Sequence, residues 1–220
     1  MAQTQDHHDH DHTPIERGGP KDGRRSGSRR RPGDYELLAE ALRQLLEEKG
    51  VISAGELREQ IDRMDSRSPA LGARMVARAW CDPEYKKRLL ADGSTAAEEL
   101  LNITVAPLRL IVVENTERLH NMIVCTLCSC YPRNVLGLPP DWYKSREYRS
   151  RAVSEPRAVL AEFGTRIPGD VEVRVHDSTA DMRYLVLPAR PQGTEGWSEE
   201  RLAAIVTRDA MVGVAVPRAK

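Results

Sequence analysis

Apolar positions follow two rhythms along this chain. From Asp34 to about Leu101 they recur every three or four residues: Leu37, Leu38, Ala41, Leu42, Leu45 and Leu46 share one helical face, and Gly50 supplies a stop. Ser53, with Glu56 three residues on, predicts a second helix opened by a capping box, in which hydroxyl and carboxylate satisfy backbone N–H groups reciprocally. Met75, Val76 and Ala79 predict a third helix, and Asp82-Pro83 caps and opens a fourth that runs to Gly93. Residues 34–102 therefore read as a helical arm whose amphipathic helices cover another surface.

After Pro107 the rhythm shortens. Residues 110–113 and 122–124 read as strands, and the second leads directly into Cys125. Residues 171–175 and 183–187 read as two more, separated by polar turns. Between the two pairs, residues 154–163 predict a helix ended by Gly164. Ser198 can cap another, with Leu202, Ile205 and Val206 on its buried face. No internal repeat is visible. The expected fold is α+β: the helical arm, then a layered α/β/β/α domain over 103–220.

Composition narrows the function classes without naming one. Apolar residues make up 40% of 220, enough for a real core, although Phe163 is the single phenylalanine. Lysine plus arginine and aspartate plus glutamate both total 33, so net charge argues for neither a nucleic-acid nor an anionic-membrane partner. No apolar run approaches the ~20 residues of a membrane span, and the N-terminus carries no apolar segment of secretory type. A cytoplasmic protein is the default expectation. Residues 1–33 hold His7, His8, His10 and His12 among aspartates, then glycine, proline, serine and the runs Arg24-Arg25 and Arg29-Arg30-Arg31. Such a stretch buries too little apolar surface to order itself and reads as a solvated, disordered tail. Its imidazoles and carboxylates could also buffer a divalent metal.

The chemistry concentrates in the cysteines. Four in a chain of this size do not make a disulfide scaffold. Cys81 is alone, whereas Cys125, Cys128 and Cys130 lie within six residues at C-x-x-C-x-C spacing. A structural zinc site needs four ligands, usually as two pairs, and no second pair exists. Iron–sulfur clusters generally use four cysteines, with at least two residues between the nearest. A Cys128–Cys130 disulfide would be strained by the short chain between them. A thioredoxin-like Cys125/Cys128 pair stays open but leaves Cys130 without a role. One further solution uses all three: their sulfurs, with the backbone nitrogens of Ser129 and Cys130, converge on one ion as five ligands. Amide nitrogens bind only when deprotonated, which demands a strongly Lewis-acidic, trivalent ion. The sixth position stays open, as catalysis requires.

Cys125-Thr-Leu-Cys-Ser-Cys130-Tyr-Pro followed by Val135-Leu-Gly-Leu-Pro-Pro-Asp-Trp-Tyr-Lys144 resembles the metal-binding alpha subunit of nitrile hydratase. The likeness continues through Tyr148-Arg-Ser-Arg151, Glu155-Pro-Arg157, Asp177-Ser-Thr179, Arg183-Tyr-Leu-Val-Leu-Pro188 and Gly193-Thr-Glu-Gly-Trp197, and reaches upstream to Ala79-Trp80 and Asp82-Pro-Glu-Tyr-Lys86. The resemblance implies one metal per chain, held by the Cys125 thiolate, Cys128 as sulfinate, Cys130 as sulfenate, and the amides of Ser129 and Cys130. Thr126 and Tyr131 resemble the cobalt branch, Co(III), where the iron branch, Fe(III), usually has serine and threonine. It further implies a beta subunit as partner in a heterodimer, often doubled, an activator protein for metal insertion, and hydration of a nitrile to an amide. The attacking oxygen would be metal-bound or the sulfenate oxygen of Cys130, with Cys128 beside it. Asp177 and Asp181 correspond to acidic positions near the site, their plainer reading being turn and cap residues.

Some positions depart from that pattern. Arg133 stands where most nitrile hydratases have tryptophan, Asn134 where they have proline, and His176 at another common tryptophan. Residues 102–106 lack the glycine-rich loop of many relatives. Arg133 resembles the gamma subunit of thiocyanate hydrolase, a cobalt relative with an anionic substrate, which is the second enzyme expectation. A non-enzymatic carrier passing metal between the tail and the thiols is a third.

Overall fold

The computed structural model of the chain describes residues 33–219, so the expected disordered tail lies, apart from Gly33, outside the described residues. The helical stretch forms five helices: α1 (Asp34–Glu48), α2 (Ala54–Asp65), α3 (Pro69–Cys81), α4 (Pro83–Ala91) and α5 (Gly93–Leu101). Gly50 takes a φ of 65° just past α1, the left-handed turn that commonly ends a helix. Ser53 and Glu56 form the capping box: the Glu56 N–H donates to Ser53 Oγ at 3.1 Å and the Ser53 N–H to Glu56 Oε2 at 2.8 Å. The fourth helix is shorter than expected. It stops at Ala91 because the Asp92 carboxylate accepts from the Thr95 N–H at 3.1 Å and so opens α5. Gly93, read as a stop, is the first residue of α5. An added Cβ there would meet the Leu110 carbonyl oxygen at 2.6 Å, so the glycine lets the helix lie close on a strand.

Burial is uneven along the helical stretch. No described side chain of α1 or α2 is buried. Met75 and Val76 of α3 and Leu89 of α4 are fully buried and join strand residues in one core. Helices α3 to α5 thus share the core with the strands, whereas α1 and α2 contribute no buried described side chain. Leu37, Leu38, Leu42 and Leu45, the expected apolar face of α1, all stand exposed.

The remainder interleaves strands β1 (Arg109–Glu114), β2 (Leu119–Val124), β3 (Glu172–Asp177) and β4 (Met182–Leu187) with helices α6 (Arg133–Leu136), α7 (Asp141–Lys144), α8 (Arg146–Ser154), α9 (Pro156–Glu162), α10 (Glu199–Ile205) and α11 (Arg208–Val212). Helices and strands are thus mixed, as expected. The strands make two parallel pairs among the described residues, β1 with β4 and β2 with β3. The helix expected over 154–163 is divided: Ser154 closes α8 and α9 opens at Pro156. Proline lacks the N–H that would continue a helix and disfavours helical geometry in Glu155 before it. Ser198 caps α10 through the Arg201 N–H, with Leu202 and Val206 buried and Ile205 half-buried. No helix among the described residues is long and apolar enough to cross a membrane.

Two glycines test the packing. Gly213 has a φ of 90°, and a Cβ there would stand 2.1 Å from the Asn121 carbonyl oxygen of β2. Gly164 has a φ of 80° and open space around it. Gly164→Ala is expected to cost about 1–2 kcal/mol, the left-handed penalty alone. Gly213→Ala should exceed about 4 kcal/mol, because backbone must move. Denaturant unfolding of the two variants reads the difference, and equal costs would contradict the tight seat at Gly213.

Candidate metal centre

The claw loop is delivered by a buried strand. β2 ends at Val124, and Cys125 follows it still buried at 1% exposure, while Cys130 is half-buried and Cys128 exposed. The three sulfurs lie within 4.8 Å of one another, with Cys125 Sγ to Cys128 Sγ at 3.2 Å and Cys128 Sγ to Cys130 Sγ at 3.1 Å. Donor chemistry and spacing both fit a single ion. Two sulfurs about 2.3 Å from one metal stand about 3.25 Å apart at a right angle and about 3.75 Å apart at the tetrahedral angle. The observed separations match right-angled donors, as in an octahedral set, better than a tetrahedral zinc set.

The loop's shape is fixed from three sides. Val124 sits opposite Asp177 in the β2–β3 register, and the ladder continues as the Ser178 N–H donates to the Val124 carbonyl at 2.8 Å. That places the Asp177 carboxylate against the first turn of the loop. Its Oδ1 accepts from the Thr126 N–H at 3.0 Å and its Oδ2 from the Thr126 hydroxyl at 2.5 Å. From α7, the Tyr143 hydroxyl donates to the Cys130 carbonyl at 2.8 Å. From α8, Arg149 Nη1 donates to the Cys128 carbonyl at 2.8 Å. The Tyr148 hydroxyl, fully buried, donates to the Ile123 carbonyl at 2.7 Å.

An aromatic cluster stiffens these supports. Trp142 meets Tyr148 and Phe163 edge-on with centroids 4.9 and 4.7 Å apart, and Tyr131 meets Tyr143 at 4.9 Å. Offset and edge contacts of this kind add to burial. Sequence reasoning quoted these residues for their likeness to a family but assigned them no task. A signal was available: five of the chain's ten aromatics fall between Tyr131 and Phe163.

The other candidate residues are dispersed around the loop. Ser129 is half-buried in it. Asp181, grouped with Asp177 in the sequence, is exposed, and among the described residues only its backbone carbonyl is engaged, by the Arg109 N–H at 2.9 Å. Arg133 opens α6 with its side chain exposed and unpaired among the described residues. Asn134 Nδ2 donates to the Thr104 carbonyl at 2.9 Å. His176 Nε2 donates to Asn121 Oδ1 at 2.8 Å, and its ring lies 5.0 Å from that of Tyr184.

Local charge separates the thiols. Hydrogen bonds from the Cys130 thiol, then from Cys125, with backbone N–H groups of Cys130 and Ser129, pull Cys128 down to about 7. Burial, then the anion at Cys128, pushes Cys130 up to about 12. Cys128 therefore ionises before Cys130 in the metal-free loop.

A mixed α/β body presenting three converging sulfurs on one strand-end loop has the makings of a metal-binding protein. Its family is shown by comparison. The family model described as "Nitrile hydratase, alpha chain" matches residues 33–215, and the chain belongs to that family. It is 53% identical over 182 residues to the low-molecular weight cobalt-containing nitrile hydratase subunit alpha of Rhodococcus rhodochrous, covering 80% of this chain and 86% of that one. It is 46% identical over 196 residues to the thiocyanate hydrolase subunit gamma of Thiobacillus thioparus, covering 84% and 81%. Among solved structures, a thiocyanate hydrolase carrying an arginine-to-tryptophan mutation superposes with a TM-score of 0.79 at 46% identity, covering 84% of this chain and 90% of the other.

The charge separation predicts an order of reactivity. In the metal-free chain, alkylation of Cys128 should reach half its maximal rate near pH 7, because its thiolate forms there. Cys130 should lag far behind. Mass mapping of peptides after brief iodoacetamide pulses across pH checks this, and three equal profiles centred on the ordinary thiol value of about 8.5 would contradict it.

Proposed function

We propose that the chain is the metal-binding alpha subunit of a cobalt nitrile hydratase, adding water to a nitrile to give the amide. The carrying observation is the set of three converging sulfurs, neighbouring pairs at right-angle spacing, on a loop held by a buried strand, two side-chain donors and the Asp177 carboxylate. Relatives named as cobalt-containing nitrile hydratase alpha subunits, at 53% and 51% identity, support cobalt as the ion.

Cys125, Cys128 and Cys130, with the backbone nitrogens of Ser129 and Cys130, would hold it. Cobalt(III) bound there supplies Lewis acidity toward the nitrile and the water that adds to it. This chain's residues do the rest. Cys125 is shielded from solvent and would stay unoxidised, whereas exposed Cys128 and half-buried Cys130 would be open to dioxygen, the oxidant that would make them sulfinate and sulfenate. Arg149 bonds the Cys128 carbonyl, which shares one peptide unit with the Ser129 nitrogen. A guanidinium at that oxygen favours the anionic amide, whose charge spreads onto it. Asp177 spends both carboxylate oxygens on Thr126 and acts as a positioning residue. Asp181 keeps a free carboxylate and is the weaker catalytic candidate.

The claw faces solvent in the chain by itself. Leu127 at its tip is 90% exposed, and the apolar face of α1 is bare. A beta subunit would cover both, which supports a heterodimer, and a layered α/β/β/α body is the arrangement we infer for the two strand pairs within it. The second reading, a thiocyanate hydrolase gamma subunit, is favoured by one observation. Arg133 is exposed and unpaired among the described residues, three positions past Cys130, and could attract an anion.

Purified with its partner, the protein is expected to hold about one cobalt per chain, since the sulfurs form one site. The peptide spanning residues 125–130 should carry added oxygen on Cys128 and Cys130 and none on Cys125. Stoichiometric zinc, or three unmodified thiols in fully active enzyme, would reject the proposal. Arg133→Trp separates the two substrates. If nitriles are the substrate, the variant keeps or improves hydration of acrylonitrile and benzonitrile. If thiocyanate is, it loses charge-assisted hydrogen bonds of roughly 1.5–3 kcal/mol, about ten- to hundredfold in thiocyanate turnover.

A further inference from the structure

The segment joining α5 to β1, residues 102–108, has little structure of its own. Its internal backbone bonding is one contact, the Leu108 N–H to the Val105 carbonyl at 3.2 Å. It is nonetheless gripped from both sides. Glu98 on α5 turns one carboxylate oxygen, Oε1, onto the Val105 N–H at 2.7 Å and the Ala106 N–H at 3.4 Å. Asn134, four residues past Cys130, turns its side-chain Nδ2 onto the Thr104 carbonyl at 2.9 Å and the Val105 carbonyl at 3.3 Å. One side chain takes the donors of the segment and the other takes its acceptors.

What lies beneath gives this grip a consequence. Val105 and Leu108 form one wall of a narrow apolar cavity whose other sides are Pro132, Val135 and Arg183. Its volume is about 10 Å³, at the lower edge of what holds one water. Pro132 is two residues from Cys130 and leads the chain from the claw into α6. On its outer side the same segment borders an open cleft of about 710 Å³, lined also by Arg63, Arg67 and Asn134. Residues 102–108 are therefore the partition between an open cleft and a cramped apolar space next to the claw. How firmly that partition stands decides how much room a substrate's organic part finds there.

We propose that Asn134 is a positioning residue that sets substrate size. By tethering the Thr104 and Val105 carbonyls to the helix that follows the claw, it keeps the partition closed down on the metal site and favours small nitriles over bulky ones. The size effect rests on the nitrile hydratase reading, whereas the tether itself does not. A residue without a side-chain donor at position 134 would leave the segment held by Glu98 alone.

The test uses the cobalt-loaded complex with Asn134→Ala and Asn134→Asp. The second variant has nearly the size of asparagine but sets an oxygen against two carbonyl oxygens, so an effect common to both reports the lost donor and not lost bulk. Hydrogen exchange of the amides in 103–108 should quicken about tenfold in both variants, as a locally freed segment opens more often. The kcat/KM for benzonitrile relative to acrylonitrile should rise at least about threefold, with bound cobalt still one per chain. Unchanged exchange in both variants overturns the tether. Faster exchange with an unchanged nitrile ratio overturns its role in selectivity. A wild-type complex that holds cobalt yet hydrates neither nitrile rejects the hydratase reading alone. The tether is then judged by exchange together with the KM for thiocyanate, and an unmoved KM overturns the proposal.

Discussion

The register of β2 against β3 is the constraint from which the site follows. Parallel pairing sets Val124 across from Asp177, and a slip of one residue would turn every β3 side chain to the opposite face. Asp177 would then no longer reach Thr126, and the loop from Cys125 to Cys130 would lose its clasp. The register is protected by burial. β2 is covered along almost its whole length, as parallel strands usually are, so it has one acceptable seating.

Two polar residues inside that buried strand strengthen the same choice. His120 Nε2 donates to the Gly213 carbonyl at 2.7 Å, which leaves its Nδ1 to accept from Asn115 Nδ2 at 3.3 Å. Asn115 Oδ1 accepts from the Asn121 N–H at 2.7 Å, and Asn121 Nδ2 donates to the Glu114 carbonyl at 2.7 Å. Asn121 Oδ1 is then free for His176 Nε2 on β3, next to Asp177. Every donor in this chain meets an acceptor in only one arrangement. Burial holds both histidines toward their neutral forms, which that arrangement requires. Networks of this kind specify a structure more than they stabilise it, since an unpaired member would be costly.

These residues also mark where the sequence was opaque. Residues 122–124 were legible as a strand because they are apolar. The strand begins three residues earlier, and His120 and Asn121 hid it by looking like turn residues while being satisfied by partners from Asn115 to Gly213. Helix caps at Ser53, Asp82 and Ser198 were legible because the information is local. The short helices α6, α7 and α11 were not, being four or five residues long and lacking a periodic face. In the site, the three cysteines and the strand leading into them could be read from spacing, and Asp177 from likeness. That Tyr143 and Arg149 hold the loop by its carbonyls, and Tyr148 the strand before it, could not, since such bonds depend on how α7 and α8 fold back over β2. Asn134 was visible only as a departure from a pattern.

The same contrast between buried and bare surfaces explains how one loop can be both rigid and reactive. Everything behind the claw is closed off from solvent: Val124 and Tyr148 are wholly buried, and Tyr131 and Cys125 nearly so. Everything in front of it, Cys128, Leu127 and Arg133, faces outward. On the proposed reading, a ligand set that includes amide nitrogens needs its backbone fixed, and outer sulfurs that take up oxygen need to be accessible. Fixing the loop by its carbonyls and by Thr126 meets the first need without covering the second. The exposed leucine at the tip and the bare face of α1 then remain as apolar surface that this chain alone leaves in water. On the proposed reading, closing the reaction space from the front falls to a second chain, whereas the three sulfurs that would hold the ion all belong to this one.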